Sequence, residues 1–286
     1  MLFSGGSTSK HSLVKYDGPV VRTSADWVGL SKSDRALFAK QMDILGPLNE
    51  FIIQRSHSRR SEVEREYCYH CQGDGYITRH PRGVGIFSPS GLTRCAREVY
   101  FQFMGEAGET RNDSVSQRTF DVGTALHEWY QERYLHRMFP ESGENGVVFT
   151  SEVSSKDEGI CLSGHADGQL EHELFRVGVE IKTMSAKSFA KMTKPSWDYI
   201  VQNTAYNRMN DWPGSIFLCI EKDYPHNLAQ FFLGFDPAID EWIVQRLSGI
   251  ETAAENGEPP EPTVDTNWAC KRCRFYEICR YGGGEV

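Results

Sequence analysis

The sequence lacks any apolar run near the ~20 residues needed to cross a bilayer as a helix, and none is expected to. Its opening, Met1-Leu2-Phe3-Ser4-Gly5-Gly6-Ser7, lacks the charged and apolar regions of a secretory signal, so a cytoplasmic location is expected. A basic surplus is also missing. The net charge of −8 argues against a protein that simply coats nucleic acid, whose affinity comes from lysine and arginine facing phosphate. An enzyme acting on nucleic acid needs only a local basic track. Candidates are Arg55, Arg59, Arg60 and Arg65, then Lys187, Lys191 and Lys194, then Lys271, Arg272, Arg274 and Arg280, although each run equally suits a solvated face. No helicase motif is present. A disulfide framework is not expected from eight cysteines in a reducing compartment, so clustered cysteines read as metal or cluster ligands.

What the sequence does hold is enough apolar material for a core, in 286 residues that suit one large domain or one domain with an appendage. Residues up to about Thr23 are polar and rich in glycine and serine, and weak order is expected there. A helical pattern follows from Ser31 through Leu37, Phe38, Met42 and Leu45, interrupted at Gly46-Pro47. Cys68-Tyr69-His70-Cys71, followed by Gly73 and Gly75, supplies half of a zinc site, with His57, His70 and His80 as neighbours; two ordinary buried thiols are the alternative. Ser88-Pro89 is expected to open a helix containing Cys95.

The chain's chemistry centres on Gly164-His165-Ala166-Asp167-Gly168 and Val177-Gly178-Val179-Glu180-Ile181-Lys182-Thr183. In the second run Val177, Val179 and Ile181 share one parity and Glu180 and Lys182 the other, the period-two signature of a strand. If the two runs pair antiparallel across Glu171-His172-Glu173, Asp167 lies beside Glu180. Two close carboxylates repel unless a hard divalent cation such as Mg²⁺ or Mn²⁺ sits between them, and a neighbouring lysine can orient or activate water for attack on a phosphodiester. The plain alternative is a solvated strand face with an ion pair.

Upstream, a helix from about Ser116 to Met138 carries Gly123-Thr124-Ala125-Leu126-His127-Glu128. Val122, Ala125, Leu126 and Trp129 form an apolar stripe, while Phe120, Gly123, His127, Tyr130 and Tyr134 share another face. Strands are expected at Gly146–Val153, Gly159–Gly164, Ser215–Glu221 and Ala229–Phe235. Between the charged strand and the last two, a helix opening at Pro195 carries Gln202-x-x-x-Tyr206. Asp236-Pro237 caps a further helix, which ends before the proline-rich strip Gly257–Pro262. The final segment spaces Cys270, Cys273 and Cys279 as CxxC then Cx₅C, an arrangement that converges on one soft metal centre with one position left for Cys95. Cys161 and Cys219 fall within expected strands and read as core.

Taken in order, Gly123-x-x-x-His127-Glu128, Asp167, Glu180-x-Lys182, Gln202-x-x-x-Tyr206 and the split cysteines resemble the RecB-like branch of the PD-(D/E)XK nucleases, in its iron–sulfur subset with the AddB-type nuclease domain and the CRISPR-adaptation nucleases. The resemblance implies an α/β, restriction-endonuclease-like mixed central sheet flanked by helices, with a C-terminal iron–sulfur clasp. It implies a nuclease domain over 88–286 after an N-terminal extension over 1–87. His127, Asp167, Glu180 and the Ile181 carbonyl would bind Mg²⁺ or Mn²⁺, Lys182 would orient or activate water, and Gln202 and Tyr206 would hydrogen-bond the acids or the nucleic-acid backbone. Cys95, Cys270, Cys273 and Cys279 would hold a 4Fe–4S cluster, with a zinc Cys₄ site as the alternative. The implied activity is exonucleolytic cleavage of single-stranded or end-containing DNA in phage or prokaryotic recombination, replication or repair, in the host cytoplasm if phage-encoded. The other implied role is a non-catalytic DNA-binding or assembly subunit of a recombination or CRISPR-adaptation complex.

Overall fold

In a computed structural model of the chain, described over residues 20–49, 51, 84–108, 114–143, 146–223, 227–263 and 267–281, the charged strand lies at the centre of one five-stranded sheet. The strands are β1 (Val148–Asp157), β2 (Leu162–His172), β3 (Phe175–Met184), β4 (Gly214–Glu221) and β5 (Leu228–Gly234), in the order β1-β2-β3-β4-β5. Only β3 and β4 run parallel, joined by a crossover through two helices, Ala186–Lys191 and Trp197–Asn210; the other neighbours are antiparallel. The fold is thus α/β with a mixed central sheet between helical layers.

Alternation along β3 divides its side chains as the sequence predicts. Val177, Val179 and Ile181 are wholly buried against one helical layer, and each contributes about 1.5–3 kcal/mol by leaving water. That layer contains α1 (Ser24–Gly29), α2 (Lys32–Gln41) and the end of α3 (Ser114–Tyr130), through Trp27, Phe38, Met42 and Tyr130. Residues 20–49 therefore share the core of the sheet; the helix interruption expected at Gly46-Pro47 falls at 42–44 instead, and a further helical turn at 45–49 carries Pro47 in its first positions, where its missing N–H is not needed. On the other face, α4 (Trp197–Asn210) packs Val201, Ala205 and Tyr206 toward the sheet, backed by Ile243 and Leu247 of α5 (Pro237–Asn256). Asp236 caps α5 by accepting from the amides of Ala238 and Ile239, and Gly257 closes it at φ 68°.

Three further expectations change, and α3 shows which of its two faces packs. The strands expected at Gly159–Gly164 and Gly164–Gly168 are one strand, β2, because a 3₁₀ turn at Glu158–Ile160 and Cys161 at φ 50° place the chain reversal earlier. Cys161 thus stands in a turn, whereas Cys219 is buried in β4. Ser88-Pro89 opens a 3₁₀ turn, Pro89–Gly91, without a side-chain cap bond, and the α-helix begins only at Ala96 with Cys95 as its cap residue. In α3 the stripe of Val122 and Trp129 is 50% and 40% exposed, while the face carrying Gly123, His127 and Tyr130 meets β3. Cys68, Cys71, His57, His70 and His80, together with Arg55, Arg59, Arg60 and Arg65, lie outside the described residues. Among the described residues, no helix is long and apolar enough to cross a membrane.

Candidate active site

The site is built where β2 parts from β3. Their ladder pairs His172 with Phe175 and runs to Gly168 with Val179, where it stops. One step further would set Asp167 against Glu180. Instead the Asp167 carboxylate Oδ2 accepts the amide hydrogen of Ile181 at 2.6 Å, taking over a donor that the ladder releases. A strand residue presents its N–H and C=O to the same edge, so the Ile181 carbonyl faces the same gap.

A kink in β2 aims Asp167 there. β1 and β2 pair at Ser151 with Gly168 and again at Val153 with Ala166, leaving Glu152 and Asp167 unpaired, with Glu152 at φ 52°. Strict alternation would put Ala166 and Gln169 on opposite faces. Both face α4 instead, Ala166 beside Tyr206 and Trp212, and Gln169 accepting from the Trp212 indole at 2.9 Å. The flanking glycines are sterically required. A methyl on Gly168 would lie 2.3 Å from the Phe149 ring, and one on Gly164 2.9 Å from Pro89 and 3.0 Å from the Tyr206 hydroxyl.

His127 reaches the gap from the α3 side, its Nδ1 3.6 Å from Asp167 Oδ2. A methyl on Gly123 would stand 3.2 Å from Thr183 Oγ1, so the element that the small residue admits next to His127 is β3. From the α4 side, Gln202 Nε2 donates to Glu180 Oε1 at 2.8 Å, and the Lys182 ammonium pairs with the same oxygen. Lys182 also lies 5.9 Å from the centre of the Tyr199 ring. Tyr206 is a strut rather than an acid ligand, because its hydroxyl donates to the His165 carbonyl at 2.7 Å, two residues before Asp167.

Burial and mutual repulsion separate the two acids electrostatically. Glu180, 3% exposed, has its pKa pushed up to about 7, first by burial and then by the Asp167 charge, against the pull of Lys182. Asp167 is held below its ordinary value: burial opposes this, but the His127 hydrogen bond, the Lys182 and His127 charges and the Ile181 amide outweigh it. Lys182 stays above its ordinary value because Glu180 and Asp167 outweigh its own burial. Among the described residues, no three carboxylate, imidazole or thiol groups converge on a common ion position. Each acid is turned instead toward its protein donor.

Two residues were not singled out in the sequence. Gln131, 3% exposed, donates through Nε2 both to the Asp167 carbonyl at 2.7 Å and to Glu152 Oε1 at 3.0 Å. Its one available signal was its place a turn after His127 on the same helix face. Nothing in the strand pattern marks Glu152.

The cysteines gather at another corner. Cys95 caps α6 (Ala96–Phe103), Cys270 lies in α7 (Asn267–Arg272), Cys279 in α8 (Tyr276–Tyr281), and Cys273 between the last two. Arg97 Nη1 stands 3.8 Å from Cys279 Sγ while its Nε donates to the Pro260 carbonyl at 2.8 Å, and Ala96 N donates to Thr263 Oγ1 at 3.0 Å. Burial pushes the Cys273 thiol up, with Glu98, Cys95 and Cys279 adding to the effect. Three of the four thiols are thus electrostatic neighbours, and Cys273 N donates to the Cys270 carbonyl at 3.0 Å.

No family model matches the sequence, and no curated protein is similar to it at the sequence level. Among solved structures, the protein SSO0001 is 18% identical over 82% of this chain and 96% of its own, with a TM-score of 0.45. An alkaline exonuclease from Laribacter hongkongensis, LHK-Exo, is 16% identical over 61% of this chain and 90% of its own, at 0.42. The same exonuclease in complex with dAMP gives 19%, 61%, 90% and 0.45. At this level of likeness, function has to be decided from the side chains.

Proposed function

We propose that this chain is a divalent-metal-dependent deoxyribonuclease of RecB-like PD-(D/E)XK type, acting as an exonuclease on single-stranded or end-containing DNA. The observation that carries the reading is the opening of the β2–β3 ladder at Asp167 and Glu180, with Lys182 on the rim. Two carboxylates, one imidazole and a strand-edge carbonyl make a hard oxygen and nitrogen donor set suited to Mg²⁺ or Mn²⁺. Burial first, and the neighbouring Asp167 charge second, disfavour the charged form of Glu180, and a divalent cation bound there would favour it.

Asp167, Glu180, His127 and the Ile181 carbonyl would hold the ion, which when bound would neutralise charge developing on the phosphate. Lys182, charged and tethered to Glu180, would orient the attacking water and steady the phosphate oxygens. Gln202 keeps Glu180 aimed by its 2.8 Å hydrogen bond, and Tyr206 fixes the strand leading to Asp167. Exposed Lys187, Lys191 and Lys194, just beyond the end of β3, would meet the DNA backbone. Cys95, Cys270, Cys273 and Cys279 suit a 4Fe–4S cluster, which would tie the last segment to α6 and carry no hydrolytic step. Recombination, replication or repair is the setting this activity fits.

The test is incubation of end-labelled DNA with Mn²⁺, beside a Lys182→Ala control. Shortening of the DNA by the native chain alone is expected. Equal turnover by both would remove Lys182 from its role, and no turnover by the native chain would favour a DNA-binding subunit instead.

A further inference from the structure

We infer that Gln131, anchored by Glu152, is a positioning residue for Asp167. Three observations converge on it. The Gln131 amide is buried, and its one NH₂ group bridges the Asp167 carbonyl and the Glu152 carboxylate. The helix leaves α-geometry at this residue: Gln131–Leu135 is a π-turn, a costly form that concentrates at functional sites. Its partner Glu152 sits at φ 52°, where a side chain is unfavourable, directly opposite Asp167 in the interrupted ladder. His136, just after the π-turn, meets Ser151 at 3.0 Å, so the same helix holds β1 at its kink residue and at the residue before it.

Asp167 is thereby held at two points by one helix, its carboxylate by His127 and its carbonyl by Gln131 one turn later. With both points fixed, Oδ2 stays on the Ile181 amide and the ladder stays open. Two elements of unfavourable backbone geometry are kept at the same spot, and a purely structural contact would need neither.

The consequence for catalysis rests on the nuclease reading above; the positioning does not, and the two can fail separately. Amide hydrogen exchange at Ile181 in metal-free protein reads the Asp167 bond directly, with the Leu218 amide of β4 as a control for global opening. In Gln131→Met, Ile181 exchange is expected to speed by roughly tenfold while Leu218 is unchanged. Mn²⁺ affinity, read by the spectrum of the free ion, is expected to fall roughly tenfold, and kcat to fall at unchanged KM. Glu152→Gly gives a second variant that relieves the positive φ: melting temperature should hold or rise while Ile181 protection falls. Native exchange at Ile181 in both variants would overturn the inference. Native protein that neither binds Mn²⁺ nor cleaves DNA would overturn the nuclease reading, and Ile181 exchange would still decide the positioning.

Discussion

Glu180 gives the sharpest test of the site's electrostatics. Its pKa stands at about 7 against 4.5 for an ordinary glutamate, raised by burial and by Asp167. A group whose folded pKa exceeds its unfolded value contributes stability that is complete below the unfolded pKa and is lost as pH rises through the folded one. The loss should therefore fall between about pH 4.5 and pH 7. The difference of about 2.5 units corresponds to about 3 kcal/mol at 1.36 kcal/mol per unit. The comparison is with Glu180→Gln, which keeps an acceptor for Gln202 but cannot titrate. Urea unfolding of both proteins at pH 4.5 and pH 8, without metal, should show the native chain losing about 3 kcal/mol more than the variant across that interval. Saturating Mn²⁺ at pH 8 should return stability to the native chain alone. Equal pH dependence in the two proteins would refute the claim that burial and the Asp167 charge disfavour the charged form of Glu180.

Other outcomes follow from the same geometry. Gly168→Ala should cost about 1–3 kcal/mol by overpacking against Phe149 and the Thr150 carbonyl, visible as a lower melting temperature. Tyr206→Phe should cost about 1 kcal/mol, the ordinary worth of its bond to the His165 carbonyl, and should lower Mn²⁺ affinity less than Gln131→Met does, because its bond falls two residues before Asp167 rather than on it. Protein purified without oxygen should be coloured, with iron and sulfide by analysis, and Cys95→Ser should lose both; a colourless protein carrying only zinc would replace the cluster with a zinc site.

Strand period made β3 legible in the sequence, since it depends on local alternation, but Asp167 was expected beside Glu180 on a continuing ladder, whereas the ladder stops at Gly168 and Val179 and the Asp167 carboxylate meets the Ile181 amide. Gln202 and Tyr206 stood out only through the resemblance, since a glutamine and a tyrosine one turn apart are common on half-buried helices, and their division of labour was not legible: the amide meets Glu180 while the phenol meets a backbone carbonyl. The kink at Glu152 and Asp167 escaped because it arises from two strands losing register together, which no single-strand pattern records. The strand boundary at Cys161 was misplaced because the 3₁₀ turn at Glu158–Ile160 and the positive φ of Cys161 reverse the chain where the composition suggested a strand. In α3 the sequence shows two candidate faces without ranking them; the stripe of Val122 and Trp129 stays largely exposed, and Gly123, whose missing side chain suits close approach of another element beside His127, meets β3.

Binding of Mn²⁺ to metal-depleted native protein, beside Asp167→Asn, tests the central claim most directly. Saturable binding by the native chain is expected, lost in the variant while its fold persists by circular dichroism. No binding by the native chain, or equal binding by both, would contradict it.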